Sequence, residues 1–153
     1  AKTLLIIAHR PSTNTAVLAN AALAACQNYD DDNIESRCLT PFEVKSHDVL
    51  RADAVVIGTT ENIGYMAGAT KDMFDRCYND WLDRAEAKPV ALYIRAGLDG
   101  TATSSALNSI CSGLKWRLVA EPLILKGDWD DQFTKDVADL CLGVAAGLDI
   151  GIF

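Results

Sequence analysis

Apolar residues in this chain fall into two alternating patterns. Short runs with little polar alternation span Thr3 to Ala8, Asp53 to Gly58 and Pro89 to Ala96. Such runs predict strands covered on both faces, the kind found in parallel sheets. Ile34 to Leu39 reads as a half-buried strand and Arg117 to Leu125 as a fifth. Between the runs the apolar positions take helical spacing. A first helix is predicted over about Thr15 to Asn28. On about Ala69 to Leu82, Met73, Phe74, Cys77, Tyr78 and Trp81 recur at three- and four-residue steps, with Lys71, Asp72, Asp75 and Arg76 elsewhere. That aromatic stripe suits core or a subunit interface rather than a cofactor box. The next helix gathers Leu107, Ile110, Cys111 and Leu114, and the last buries Phe133, Val137, Leu140, Cys141 and Val144. Pro41 to Leu50 is either a loop or a short helix. Strand and helix alternate to the end, which implies an α/β fold with a five-stranded parallel sheet and helices on both faces. Its expected strand order is 2-1-3-4-5.

Composition narrows the class. With 153 residues, the whole chain, 1–153, is expected to form one domain. The net charge of −7 argues against nucleic acid, whose phosphates require clustered Lys and Arg. There is no leading signal-like segment, and no apolar run approaches the roughly 18 residues of a membrane helix. No membrane partner is expected. Cys26, Cys38, Cys77, Cys111 and Cys141 are widely spaced and form no CxxC pair, so buried free thiols are expected rather than a disulfide framework or zinc site. That usage points to a reducing compartment, the cytoplasm. The aspartates within Tyr29 to Asn33 lack calcium-loop spacing and read as a solvated turn.

Candidate chemistry sits where the strands end. HRPSTNT, His9 to Thr15, joins the first strand to its helix, and no Asp or Glu lies within it. Ser12, Thr13, Asn14 and Thr15 are helix-capping types. Free backbone N–H groups at such a helix start, with the helix dipole, form an anion site. Arg10 adds a cation, and a phosphate is the expected occupant; an ordinary well-capped connection is the alternative. The third strand ends in TTENIGYMAG and the fourth in GLDGT, the other two loops rich in small and polar residues. In an open parallel sheet, ligands bind outside the carboxyl ends at the switch point, beside strands one and three. Neither GxGxxG nor GxxxxGK[ST] follows any strand, and GxSxG is missing, which argues against Rossmann, P-loop and serine-hydrolase sites. The acidic residues of a receiver domain and the Cys-x5-Arg loop of small tyrosine phosphatases are also missing. A lone His9 is a thin basis for general-base catalysis. His47 and Lys71 read as surface residues.

At these loops the chain resembles the flavodoxin-like superfamily, and in GTTENIGYMAGATKDMFDR its NAD(P)H-dependent FMN-reductase branch. HRPSTNT is similar to the superfamily's phosphate loop. The likeness implies a three-layer flavodoxin-like fold with FMN held at its phosphate by Ser12, Thr13, Asn14 and Thr15. Arg10 assists, and His9 opens the loop. Glu61, Asn62, Ile63 and Gly64 would line the ring, largely through backbone atoms, with Ala96 and Gly97 approaching from the strand-four loop. Thr60 stands where the family usually has Pro, an expected loosening. Leu98 is the nearest large residue where electron-carrier flavodoxins stack an aromatic. The open ring face this implies favours NADH or NADPH as co-substrate and a quinone, flavin or other small acceptor. Electron carriage to a redox partner protein, or a flavin-free interaction role, are the alternatives. Gly64 and Gly68 also fit simple turns, Asn62 a side-chain-to-backbone turn, and Tyr65 interface packing. A homodimer is compatible with that packing.

Overall fold

The computed structural model describes residues 1–29 and 32–153. Asp30 and Asp31, two of the aspartates read as a solvated turn, lie outside the described residues. The elements follow in order: β1 (Lys2–Ala8), α1 (Thr13–Gln27), β2 (Ile34–Leu39), a 3-10 turn (Pro41–Glu43), α2 (Ser46–Arg51), β3 (Ala54–Asn62), β4 (Tyr65–Met66), α3 (Gly68–Trp81), β5 (Pro89–Ala96), α4 (Thr101–Gly113), β6 (Arg117–Leu118), β7 (Leu123–Lys126) and α5 (Gln132–Ile150). The ambiguous Pro41–Leu50 stretch is therefore a turn followed by a short helix.

Five strand positions run parallel in the expected order 2-1-3-4-5, but they are built from more than five strands. The sheet has seven, with β2-β1-β3-β5-β6 in line, β7 also pairing β5, and β4 pairing β3. The fifth position is split because its two halves are out of step with β5. Val90 pairs Leu118 and Tyr93 pairs Leu123, so three steps on β5 (93 − 90) face five on the partner (123 − 118). Pro122, which has no N–H for the ladder, sits in that excursion. β4 is a two-residue antiparallel partner that folds back on the extended end of β3.

Alternation along the central strands feeds two apolar layers. Leu5, Ile7, Val55, Ile57, Val90, Leu92 and Ile94 pack with Val49 of α2, Met73, Phe74, Cys77 and Trp81 of α3, and Leu107 and Cys111 of α4. Leu4, Ile6, Ala8, Ala54, Val56, Ala91 and Tyr93 pack against Leu18, Ala22 and Cys26 of α1 and Val137, Cys141 and Val144 of α5. The α3 stripe is thus core: Phe74, Trp81 and Trp116 form an aromatic cluster with centroids 5.3–6.1 Å apart. Burying both faces of the strands fixes which ends project, and the loops after β1, β3 and β5 emerge together at the carboxyl edge. All five cysteines are free thiols, four of them buried and Cys38 half-buried. Among the described residues, no helix is long and apolar enough to cross a membrane.

Candidate functional site

The loop after β1 is held by its own helix cap. Ser12 is the N-cap of α1, which starts at Thr13, two residues before the predicted helix start. Its N–H donates to Thr15 Oγ1 at 2.9 Å, and the Thr15 N–H donates back to Ser12 Oγ at 3.2 Å. Thr15 Oγ1 also donates to the Ser12 carbonyl at 3.1 Å. Thr15 is buried, so its hydroxyl shapes the cap rather than facing out. Thr13 and Asn14 open the first turn, where backbone N–H groups have no intrahelical acceptor. Their side chains are exposed, as is Ser12, whose hydroxyl lies 2.9 Å from Thr15 Oγ1 within the cap. Arg10 is exposed and forms no ion pair among the described residues. His9 donates its N–H to the Gly58 carbonyl at 2.9 Å, tying the loop to β3. Burial lowers the pKa of the His9 imidazole, so it is neutral near pH 7 and adds polarity rather than charge. Arg10 also acts on Glu43, whose pKa is lowered by the Thr40 N–H and side chain and further by that cation.

The loop predicted after the third strand is a hairpin. β3 continues through Thr59, Thr60, Glu61 and Asn62, pairing with β5 as far as Thr60–Arg95 and with β4 at Glu61–Met66 and Asn62–Tyr65. Ile63 and Gly64 make the turn at φ 51° and 75°. Two central residues at positive φ define the type I′ turn, whose twist matches the flanking strands. The loosening expected of Thr60 is not found. Its carbonyl accepts the Ala67 N–H at 3.1 Å, and its hydroxyl donates to Asn62 Oδ1 at 2.7 Å. Beneath it the buried Thr59 and Thr70 hydroxyls are 2.8 Å apart.

Glu61 has a side-chain role that its expected backbone contribution did not include. Its two carboxylate oxygens accept the N–H groups of Leu98 at 3.0 Å and Gly100 at 2.9 Å. Bonds of this kind, with an ionised acceptor, are roughly twice as strong as neutral ones. The clamp fixes the hairpin against the β5–α4 loop, so the two stand as adjacent walls at the carboxyl edge. Ile63 projects completely from one wall and Leu98 is 75% exposed on the other. Ala96 lies lower than expected. Its side chain is buried, and its carbonyl accepts from Gly127 N–H at 2.9 Å and Arg95 Nη1 at 3.0 Å. Gly97, with open space where a Cβ would stand, is the exposed part of that wall.

Sequence reasoning missed Arg95. Its guanidinium donates to the Leu125 carbonyl at 3.0 Å and lies 4.9 Å from the Phe133 ring and 5.9 Å from Trp129. A cation in the penultimate position of an otherwise apolar strand was the available signal. Two cavities, of about 360 and 420 Å³, lie elsewhere: one lined by Arg37, Asp48 and Arg51, the other by Lys2, Arg117 and Phe153. Neither touches these loops. The loops after β1, β3 and β5 meet at the carboxyl edge, where open parallel sheets take their ligands. The donors of the loop after β1 fit a phosphate monoester: first-turn N–H groups, the Ser12 hydroxyl, the Asn14 amide and the Arg10 cation, with no carboxylate in the loop.

No family model matches the sequence, and no curated protein matches it. Solved structures do match along nearly the whole chain. A flavodoxin from the domain Archaea aligns with a TM-score of 0.79 at 14% identity, covering 97% of this chain and 99% of that one. The flavodoxin of Megasphaera elsdenii, in its two-electron-reduced form, aligns at 0.72 and 13% identity over 92% and 98%. The rubredoxin oxygen:oxidoreductase of Desulfovibrio gigas aligns at 0.80 and 11% identity over 99% of this chain, which spans only 37% of that larger one. At these identities the likeness establishes architecture. The chain has the flavodoxin-like fold.

Proposed function

We propose that this chain binds FMN noncovalently at the carboxyl edge and transfers hydride or electrons from NADH or NADPH to a quinone, a flavin or another small acceptor. The observation that carries the reading is the Glu61 carboxylate, which joins the β3–β4 hairpin to the β5–α4 loop at the same sheet edge as the acid-free loop after β1. Ser12, Thr13 and Asn14 would hold the phosphate, with Arg10 supplying charge, Thr15 ordering the cap and His9 anchoring the loop. Thr60, Glu61, Asn62, Ile63 and Gly64 form one wall, and Gly97 with the backbone of Ala96 the other. When bound, FMN supplies the redox chemistry. The protein's part is to orient it, shield one side with Ile63 and leave space for a second planar molecule. Flavodoxins among the similar structures, including an oxidised one from Bacillus cereus, support a redox role for this architecture. Five free thiols fit a reducing compartment, and the cytoplasm is the proposed location.

The test is spectroscopic. Apoprotein titrated with FMN should quench flavin fluorescence and develop a bound-flavin spectrum, and NADH or NADPH should bleach it anaerobically within minutes. No flavin uptake sinks the whole reading and leaves an interaction protein. Uptake without bleaching supports a second reading, an electron carrier that docks with a basic redox protein. The charge of −7 and the flavodoxin matches favour that version.

A further inference from the structure

We propose that the Tyr93 hydroxyl is part of the anion site, donating from the floor of the His9–Thr15 loop to the phosphate held there. The inference rests on the FMN reading and adds a donor from the sheet itself. Ala8, Gly58 and Tyr93 are partners in one row across β1, β3 and β5. It is the last row of β1, and His9 begins the loop immediately above it. Small residues at two of the three positions let the tyrosine ring lie across the row. A Cβ built on Gly58 would stand 2.0 Å from Tyr93 Cζ and 2.3 Å from its hydroxyl oxygen, so the phenol tip occupies the place of a side chain at 58. That brings the hydroxyl beside the point where the His9 N–H meets the Gly58 carbonyl.

Tyr93 is only 3% exposed and its hydroxyl hydrogen-bonds to no described residue, yet the oxygen is not among the fully enclosed unpaired atoms of the described residues, Thr103 Oγ1 and Trp116 Nε1, so it keeps an opening to the surface. Buried polar groups nearly always have a partner. Packing alone would be served as well by phenylalanine, so the oxygen needs another reason. Burial drives the phenol pKa far above the usual tyrosine value, with the Cys141 and Cys38 thiols adding to the rise and Arg10 opposing it. The group is therefore a neutral donor near neutral pH, where a phosphate monoester is largely dianionic. The opposing influence of Arg10 places the phenol within electrostatic reach of the loop's own cation.

Tyr93→Phe removes one oxygen and leaves the ring. Losing a hydrogen bond to a charged group should weaken FMN about tenfold, while riboflavin, without a phosphate, should bind within about twofold of wild type. Fluorescence titration of both flavins, with Ser12→Ala in parallel and thermal melting of each apoprotein, gives the answer. Apo Tyr93→Phe should melt no lower than wild type, because the oxygen it loses bonds to no described residue. Equal losses for FMN and riboflavin, or no loss for either, overturn the tyrosine's role. If Ser12→Ala discriminates against FMN while Tyr93→Phe does not, only this inference fails. If wild type takes up neither flavin, the FMN reading fails and takes the inference with it.

Discussion

Ile63 is fully exposed and sits at φ 51°, the only β-branched residue among the non-glycine positions of positive φ in the described residues. A left-handed backbone costs an L-residue roughly 1–2 kcal/mol, and a branched Cβ is the worst placed to bear it. Asn or Gly is the usual choice at that position of a type I′ turn. Backbone strain of this kind clusters at functional sites, and here it presents an isoleucine at the carboxyl edge. Ile63→Asn should therefore raise stability by about 1 kcal/mol in urea unfolding and weaken FMN binding by titration. Greater stability with unchanged affinity would reduce Ile63 to a turn residue. Nothing in the chain's periodicity marked this position, because φ is set by the hairpin and the hairpin was not foreseen. The cap residues were legible: Ser12 and Thr15 carry their role in their chemistry, although only the structure separates Thr15, turned inward, from Ser12, turned out.

Elements were read best where burial wrote the pattern. β2 and β5 fall where the apolar runs place them. β3 runs four residues past its predicted end at Gly58, because Thr59, Thr60, Glu61 and Asn62 are polar and read as loop, yet pair with β5 and β4. The Glu61 clamp depends on that extension. Glu61→Ala should free the Leu98 and Gly100 amides, raising their hydrogen exchange and loosening flavin binding while the urea midpoint moves little. Unchanged exchange at both amides would show that the loop stands without the clamp. A second element is pinned by charge. Asp48 of α2 meets Arg37 of β2 at 2.7 Å and the Lys45 N–H at 2.7 Å. Burial pushes its carboxyl pKa up, but the Arg37 hydrogen bond, the Lys45 N–H and the charges of Arg37 and His47 together hold it below the usual carboxylate range. A depressed folded-state pKa gives stability that is complete above the unfolded carboxylate value and is lost as pH falls through the lower folded one. Stability measured down the acid limb should therefore decline less steeply in Asp48→Asn than in wild type. Parallel curves would remove Asp48 from the acid response.

For the whole molecule, charge decides how partners arrive. A chain carrying −7 repels anionic NADPH and attracts a basic protein. Flavin bleaching by NADPH should thus hold steady or quicken as salt rises, while reduction by a basic redox protein should slow. If nicotinamide bleaching slows with salt, a local basic patch, and not the net charge, governs its approach. By itself, the sequence determined the layer architecture, the strand order and the capped start of the first helix, because unbroken apolar runs demand cover on both faces and capping residues announce their helix. Only the tertiary structure decided which side chains complete the site. The Glu61 clamp joins residues 37 and 39 positions apart, and the Tyr93 ring lies over Gly58 in a row that is small at Ala8 and Gly58. Such meetings depend on strand register and loop closure between distant segments, and a pattern of local periodicity carries neither.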